Sequence, residues 1–362
     1  MPALTSPLLR PLHRRRPGPD TPAAARPAAP RRMRRLLMPA LALTLLGAAA
    51  PASHATAPQP PSGRIYVSNY TDNTVSVISP GSTTATAVSV GLGPQGIAVT
   101  PDTKRVFVAN YHSDTVSVID TYSSTVTATV RVGHHPWGVA VTPDGTRAYI
   151  TNSGAHNVSV IDTASLAVTA TIPIGPGPLG IAISPDGKRA YVALGSHVTM
   201  GIINLPSNTT APSPSYVWGP PTGIAVSPDS KRAYVTTWAT HIPAGPAAGV
   251  QTMDTATGLR TASTVTDGVP VEIAVSPSGH RLYVTTQTTN KLTVIDTATS
   301  TVIATVPVGK APVGVALNSD GSLAYVTNSG DSTVTAVSTA TNTAAPLPVK
   351  TGATPTRITI AK

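Results

Sequence analysis

Along residues 63–362 apolar and polar positions alternate with a period of two, in runs of five to eight residues separated by turn residues. Residues 138–175 show the unit: GVAVTPD (138–144), TRAYITN (146–152), NVSVIDT (157–163) and AVTATIPIG (167–175). A period of two places alternate side chains on opposite faces of a strand, and the PDG and Gly-Pro steps are turn signals. The pattern therefore predicts four short strands per unit.

The unit recurs. RIYVSN (64–69), RVFVAN (105–110), RAYITN (147–152), RAYVAL (189–194), RAYVTT (232–237), RLYVTT (281–286) and LAYVTN (323–328) each carry one aromatic anchor. The anchors are Tyr66, Phe107, Tyr149, Tyr191, Tyr234, Tyr283 and Tyr325, spaced by 41, 42, 42, 43, 49 and 42 residues. Four strands every 42 or so residues make one blade of a β-propeller, and seven anchors predict seven blades. The chain enters at a second-strand motif, and TRITIAK (356–362) fits the first-strand slot filled elsewhere by QGIAVTP (95–101). A first blade made of three N-terminal strands and one C-terminal strand would close the ring without a free sheet edge.

These motifs resemble the YVTN family of β-propeller repeat proteins, whose tetrapeptide stands intact at 325–328 and in variant form at the other anchors. The resemblance covers residues 63–362. It implies an all-β, seven-bladed propeller, often at the cell surface or in the periplasm, and it implies no single activity.

Two repeats depart from the pattern. Residues 238–250 (WATHIPAGPAAGV) add about seven residues between the second and third strands of one blade, and 207–221 make an irregular outer strand. Insertions in repeat arrays map to loops on one face, often the binding face.

Charge changes the picture at one end only. The formal charge is +10, yet nine of 25 basic residues precede residue 36 with a single acid, which leaves 16 basic residues against 14 acidic ones in the rest. The propeller is close to neutral, which argues against a nucleic-acid partner. The front has the layout of a secretory signal: RRMRR (31–35), a 15-residue apolar run (36–50), then small residues at Ser53 and Ala55. We expect export with cleavage after Ala55, a Pro-rich linker over 56–62, and Met33 as a start that makes a well-proportioned signal by itself. The apolar run is short for a membrane span, so no transmembrane segment is expected after cleavage. The expected location is secreted, at the cell surface, or periplasmic where an outer membrane exists. The chain has no cysteine, which excludes disulfides, thiolate metal ligands and a catalytic thiol.

Candidate chemistry gathers on one face. Loops joining second to third strands share a face with loops leading from an outer strand to the next inner strand. His112, His156, His197 and His241 fall in or beside the first kind, and His134 and His135 in the second. Trp137, Trp218, Trp238, Tyr70 and Tyr111 belong to the same loops. Histidine suits both metal ligation and proton transfer, but no motif such as H-E-x-x-H supports a metal here, and histidine in a turn is ordinary. Most acids sit at repeat-determined positions. Asp102, Asp144, Asp186, Asp229 and Asp320 precede the second strand, and Asp120, Asp162, Asp254 and Asp296 end the third.

The exception is Glu272, the one glutamate of the chain. Its inner-strand slot holds Gly96, Gly138, Gly180, Gly223 and Gly314 in other repeats, with Arg357 the second departure. Glycine there suits close backbone approach near the axis. Two arrangements follow: a Glu272–Arg357 ion pair across one intervening blade, or Glu272 as cation ligand or base. Pairing is expected, because a cation site needs several oxygen ligands and this axis offers one acid.

The reading is a monomeric binding or scaffold module that contacts a protein, glycan or small ligand. The contact residues would come from Trp137, Trp218, Trp238, Tyr70, Tyr111, Glu272 and Arg357, with no cofactor. The alternative is a lyase or lactonase that uses a divalent cation at the channel mouth, with catalytic candidates Glu272, His134, His135 and His241.

Overall fold

A computed structural model describes residues 63–212, 215–238 and 248–362. The expected signal peptide (1–55), the linker (56–62), His241 and most of the 238–250 insertion lie outside the described residues. Within them the chain forms seven antiparallel sheets, one 3-10 turn (Gln287–Thr289) and no α-helix, so no described helix could cross a membrane.

Each sheet is a blade. Blade 1 has its inner strand from the C-terminus: Pro355–Ile360 pairs with Ile65–Asn69, followed by Thr74–Ile78 and Thr86–Ser89. Blades 2 to 7 begin with inner strands Pro94–Val99, Pro136–Val141, Pro178–Ile183, Pro221–Val226, Pro270–Val275 and Pro312–Leu317. The expected closure is observed, with Ile65 opposite Ile360 and Val67 opposite Ile358. Two outer edges are irregular. Blade 4 has only Thr209–Ala211 and an isolated Thr199–Tyr216 bridge, and blade 7 has two short pieces, Thr343–Ala344 and Val349–Lys350.

The aromatic anchors explain the packing. Tyr66, Phe107, Tyr149, Tyr191, Tyr234 and Tyr283 are fully buried, each in an apolar cluster shared with a neighbouring blade. Burial raises the pKa of Tyr66, Tyr149 and Tyr234, with the arginine two residues earlier opposing it. Burying such a ring contributes roughly 2–3 kcal/mol, so the ring of blades is mainly a ring of sandwiched aromatics.

Polar contacts then fix blade to blade. In each blade the register of inner against second strand breaks at one place, as between Pro136–Asn152 and Val139–Ile150. The break strands a backbone N–H, and the motif's threonine takes it. Thr151 Oγ1 accepts from Gly138 N (2.7 Å) and donates to Leu179 O of the next inner strand (2.6 Å). Thr236, Thr285 and Thr327 repeat this relay onto Val271 O, Val313 O and Thr356 O, and Ser68 donates to Gln95 O (2.6 Å). Ala109 and Ala193 offer no hydroxyl in blades 2 and 4.

At the other end of the second strand, an arginine reaches a carbonyl of the next blade. Arg64, Arg147, Arg189, Arg232 and Arg281 donate to Thr121, Leu205, Thr255, Thr297 and Thr339 at 2.6–3.1 Å, and Arg105 donates to Thr163. Blade 7 carries Leu323 there, so its contact with blade 1 lacks the arginine and depends on the C-terminal strand. The aspartates do what their positions predict: Asp144, for example, accepts from the Thr146 N–H (3.0 Å) and the Thr142 hydroxyl, which hold its carboxyl below the usual range.

Deleting residues 356–362 removes the inner strand of blade 1. We expect a fall in Tm of ~10 °C or more, or an insoluble protein; an unchanged Tm would refute closure by this strand.

Candidate functional site

The axis is narrow because its glycines are compulsory. A β-carbon at Gly96 would lie 2.3 Å from Trp137 O, and one at Gly314 would lie 2.5 Å from Thr356 O. Two inner strands escape this rule, and their side chains meet: Arg357 and Glu272 form an ion pair across blade 7. Their side chains are 12% and 18% exposed and line a cavity of about 130 Å³ together with Gly96, Trp137, Gly138, Gly180 and Gly314. Burial pushes the Arg357 guanidinium down to about 10, which leaves it protonated at neutral pH. The expected pairing is therefore formed, and the Glu272 carboxylate is already matched by a cation.

A second constellation lies at the loops of blades 1 to 3. Tyr70 follows the second strand of blade 1, Tyr111 and His112 follow that of blade 2, and His134 and His135 precede the inner strand Pro136–Val141 that carries Trp137. Backbone bonds dock these loops on one another: Tyr111 N to Gly93 O (3.0 Å), and Ser153 N to His135 O (2.9 Å). The rings then meet. Tyr111 stacks on His135 (centroids 4.3 Å), His135 on His134 (3.7 Å), and Trp137 stands edge-on to Tyr111 (5.7 Å). The Tyr70 hydroxyl bonds His112 Nε2 (2.7 Å).

Asp114 orders this cluster, and sequence reasoning missed it. It occupies a left-handed loop position (φ 54°) held in other blades by Asn73, His156 and Asn290. At all four the side chain accepts a backbone N–H of the next loop: Gly93, His135, Gly177 or Ala311. Asp114 alone also holds a ring, His134 Nδ1, 3.1 Å from both carboxylate oxygens. Burial would raise its carboxyl, but the His135 N–H and the His134 ring outweigh it and hold it below the ordinary value.

Trp218 and Trp238 do not join this cluster. Trp218 lies at the seam between blades 4 and 5, where the Arg260 guanidinium sits 3.1 Å over its ring. Trp238 is 42% exposed at the edge of the insertion. His156 serves its loop, and His241 lies outside the described residues. Among the described residues no three His, Asp or Glu side chains converge as metal ligands.

Comparison with known proteins agrees with the fold. The model of the YNCE-like beta-propeller family matches residues 32–153, consistent with the YVTN-type propeller expected from the motifs. A search of curated protein sequences gave no match. Among solved structures, Kuenenia stuttgartiensis hydrazine synthase is similar at 24% identity and TM-score 0.69, over 81% of this chain and 99% of that one. A functionally unknown protein from Desulfotomaculum acetoxidans matches at 18% identity and TM-score 0.71, over 83% and 99%. A proposed 6-phosphogluconolactonase from Bacteroides uniformis matches at 16% and 0.68, over 83% and 99%. These likenesses show the fold alone.

The ion pair makes an asymmetric prediction. Glu272→Gln leaves a buried guanidinium unmatched and should cost about 3–5 kcal/mol in denaturant unfolding, whereas the double change of Glu272 and Arg357 to Gly should recover most of it. Equal losses in the single and double variants would show that the charges do not depend on each other.

Proposed function

We propose that this chain is an exported binding or scaffold module acting as a monomer at or outside the cell surface. One observation carries the reading: partly exposed aromatic and imidazole rings are gathered and held rigid on the loops of blades 1 to 3. Carboxylates beside them are already engaged, Asp114 by His134, Glu272 by Arg357 and Asp72 by the Ala353 N–H. Rigid aromatic surface supplies contact energy at small entropic cost, and engaged carboxylates suit positioning better than turnover. The near-neutral charge of the mature chain favours a protein, glycan or small ligand over nucleic acid.

A second reading, a metal-assisted lyase or lactone hydrolase at the channel mouth, draws on the Asp114–His134 contact. An aspartate that fixes one ring nitrogen leaves the other to serve as a base.

The test uses protein secreted by its own host. Purified mature chain should bind intact host cells, Tyr111→Ala and His135→Ala should weaken binding at least ~10-fold (about 1.4 kcal/mol), and His280→Ala on the opposite rim should not. Equal binding by all variants would sink the reading, and a stoichiometric metal lost on Glu272→Gln would favour the enzyme.

A further inference from the structure

The departures from the repeat meet at one place. Third strands carry Ser76, Ser117, Ser159, Thr293 and Thr335 at their centre, but blade 5 carries Gln251. This buried amide grips the backbone of Trp218 from both sides, accepting from its N–H (3.0 Å) and donating to its carbonyl (2.9 Å). It also reaches the Thr237 hydroxyl (3.1 Å), one residue before Trp238, whose own N–H bonds Pro220 O (3.2 Å). The irregular edge of blade 4 and the flank of the insertion are thus tied together by a side chain found at that third-strand position in no other blade.

What is held there is a cation on an aromatic. Arg260 lies 3.1 Å over the Trp218 ring, and among the described residues no carboxylate pairs with it and no acceptor bonds its guanidinium. Elsewhere on the propeller the second-strand arginines from Arg64 to Arg281 all donate to carbonyls. Tyr216, two residues before Trp218, is 70% exposed, and Trp218 and Trp238 are 36% and 42% exposed. Partial burial lowers the Arg260 pKa from its ordinary value.

We propose that the seam between blades 4 and 5 is a binding site for a carboxylated sugar of the uronate class, with Arg260 taking the carboxylate and Trp218 and its neighbours the sugar ring. A guanidinium held over an indole with no carbonyl or carboxylate partner keeps the donor fork that matches a carboxylate. Exposed indole and phenol rings offer flat apolar faces to the C–H face of a pyranose. A purely anionic partner would need the arginine alone, and a purely apolar one would not explain an unpaired guanidinium. The proposal rests on the binding-module reading and gives it a ligand class.

Calorimetric titration of the mature chain with oligogalacturonate and oligoalginate tests it, with methyl-esterified oligogalacturonate and hexaglutamate as matched controls. We expect one of the two uronate probes to bind, at least tenfold weaker binding of the ester, none of hexaglutamate, and weakening as salt rises. Arg260→Lys, which keeps the charge but loses the planar fork, and Trp218→Ala should each lower affinity at least tenfold, with Tm recorded to confirm folding. Tyr111→Ala should leave uronate binding unchanged. Failure of both uronates to bind, or equal binding of the ester or of hexaglutamate, would overturn the proposal. Uronate binding without attachment to host cells would instead sink the location and leave this site standing.

Discussion

One side-chain hydroxyl, present in five of the seven blades as Ser68, Thr151, Thr236, Thr285 and Thr327, links each inner strand to the next. It accepts a hydrogen bond from the N–H that the inner-strand irregularity would strand and donates its own to a carbonyl of the next blade. A carbonyl of the next blade lies so near each of the five glycine slots that a β-carbon has no room there, and the approach is as close in blades 2 and 4, where Ala109 and Ala193 replace the hydroxyl, as in the blades that carry it. The tetrapeptide motif is therefore two structural instructions in succession: an aromatic that fills the space between blades, and a hydroxyl that joins their inner strands.

The two exceptions to glycine keep the hydroxyl in their own blades, Thr285 and Ser68. Glu272 and Arg357 replace glycine on the two inner strands flanking blade 7, the blade that also lacks the second-strand arginine and whose Tyr325 anchor is only partly buried. Their pairing spans the place where the chain's two ends are joined. A pair of opposite charges is weak evidence for stability in general, because desolvation offsets attraction. Here it spans blade 7, whose contact with blade 1 lacks the second-strand arginine of the other blades, which gives the two charges a reason to sit in a slot otherwise reserved for glycine.

Much of this was legible in the sequence. Strand positions, blade number, closure by residues 356–362 and the meeting of Glu272 with Arg357 all follow from a repeat in which equal spacing means equal place. The candidate sites were less legible, since they depend on what crosses between loops of different blades. Asp114 is indistinguishable from a turn residue until the structure places it beside His134. Gln251 and Arg260 are ordinary polar residues of strands, and nothing in their spacing shows that they converge on Trp218. Likewise nothing in the spacing shows that Trp218 lies at the seam between blades 4 and 5 under Arg260 and apart from the rings of blades 1 to 3.

The central claim is that the hydroxyl relay holds the inner ring together. Denaturant unfolding of Thr151→Val against Thr151→Ser tests it most directly, because both change packing but only valine removes the relay. The account predicts a loss of about 2 kcal/mol for valine, from a buried N–H and carbonyl left without partners, and under ~1 kcal/mol for serine. A valine variant as stable as the serine variant would contradict it.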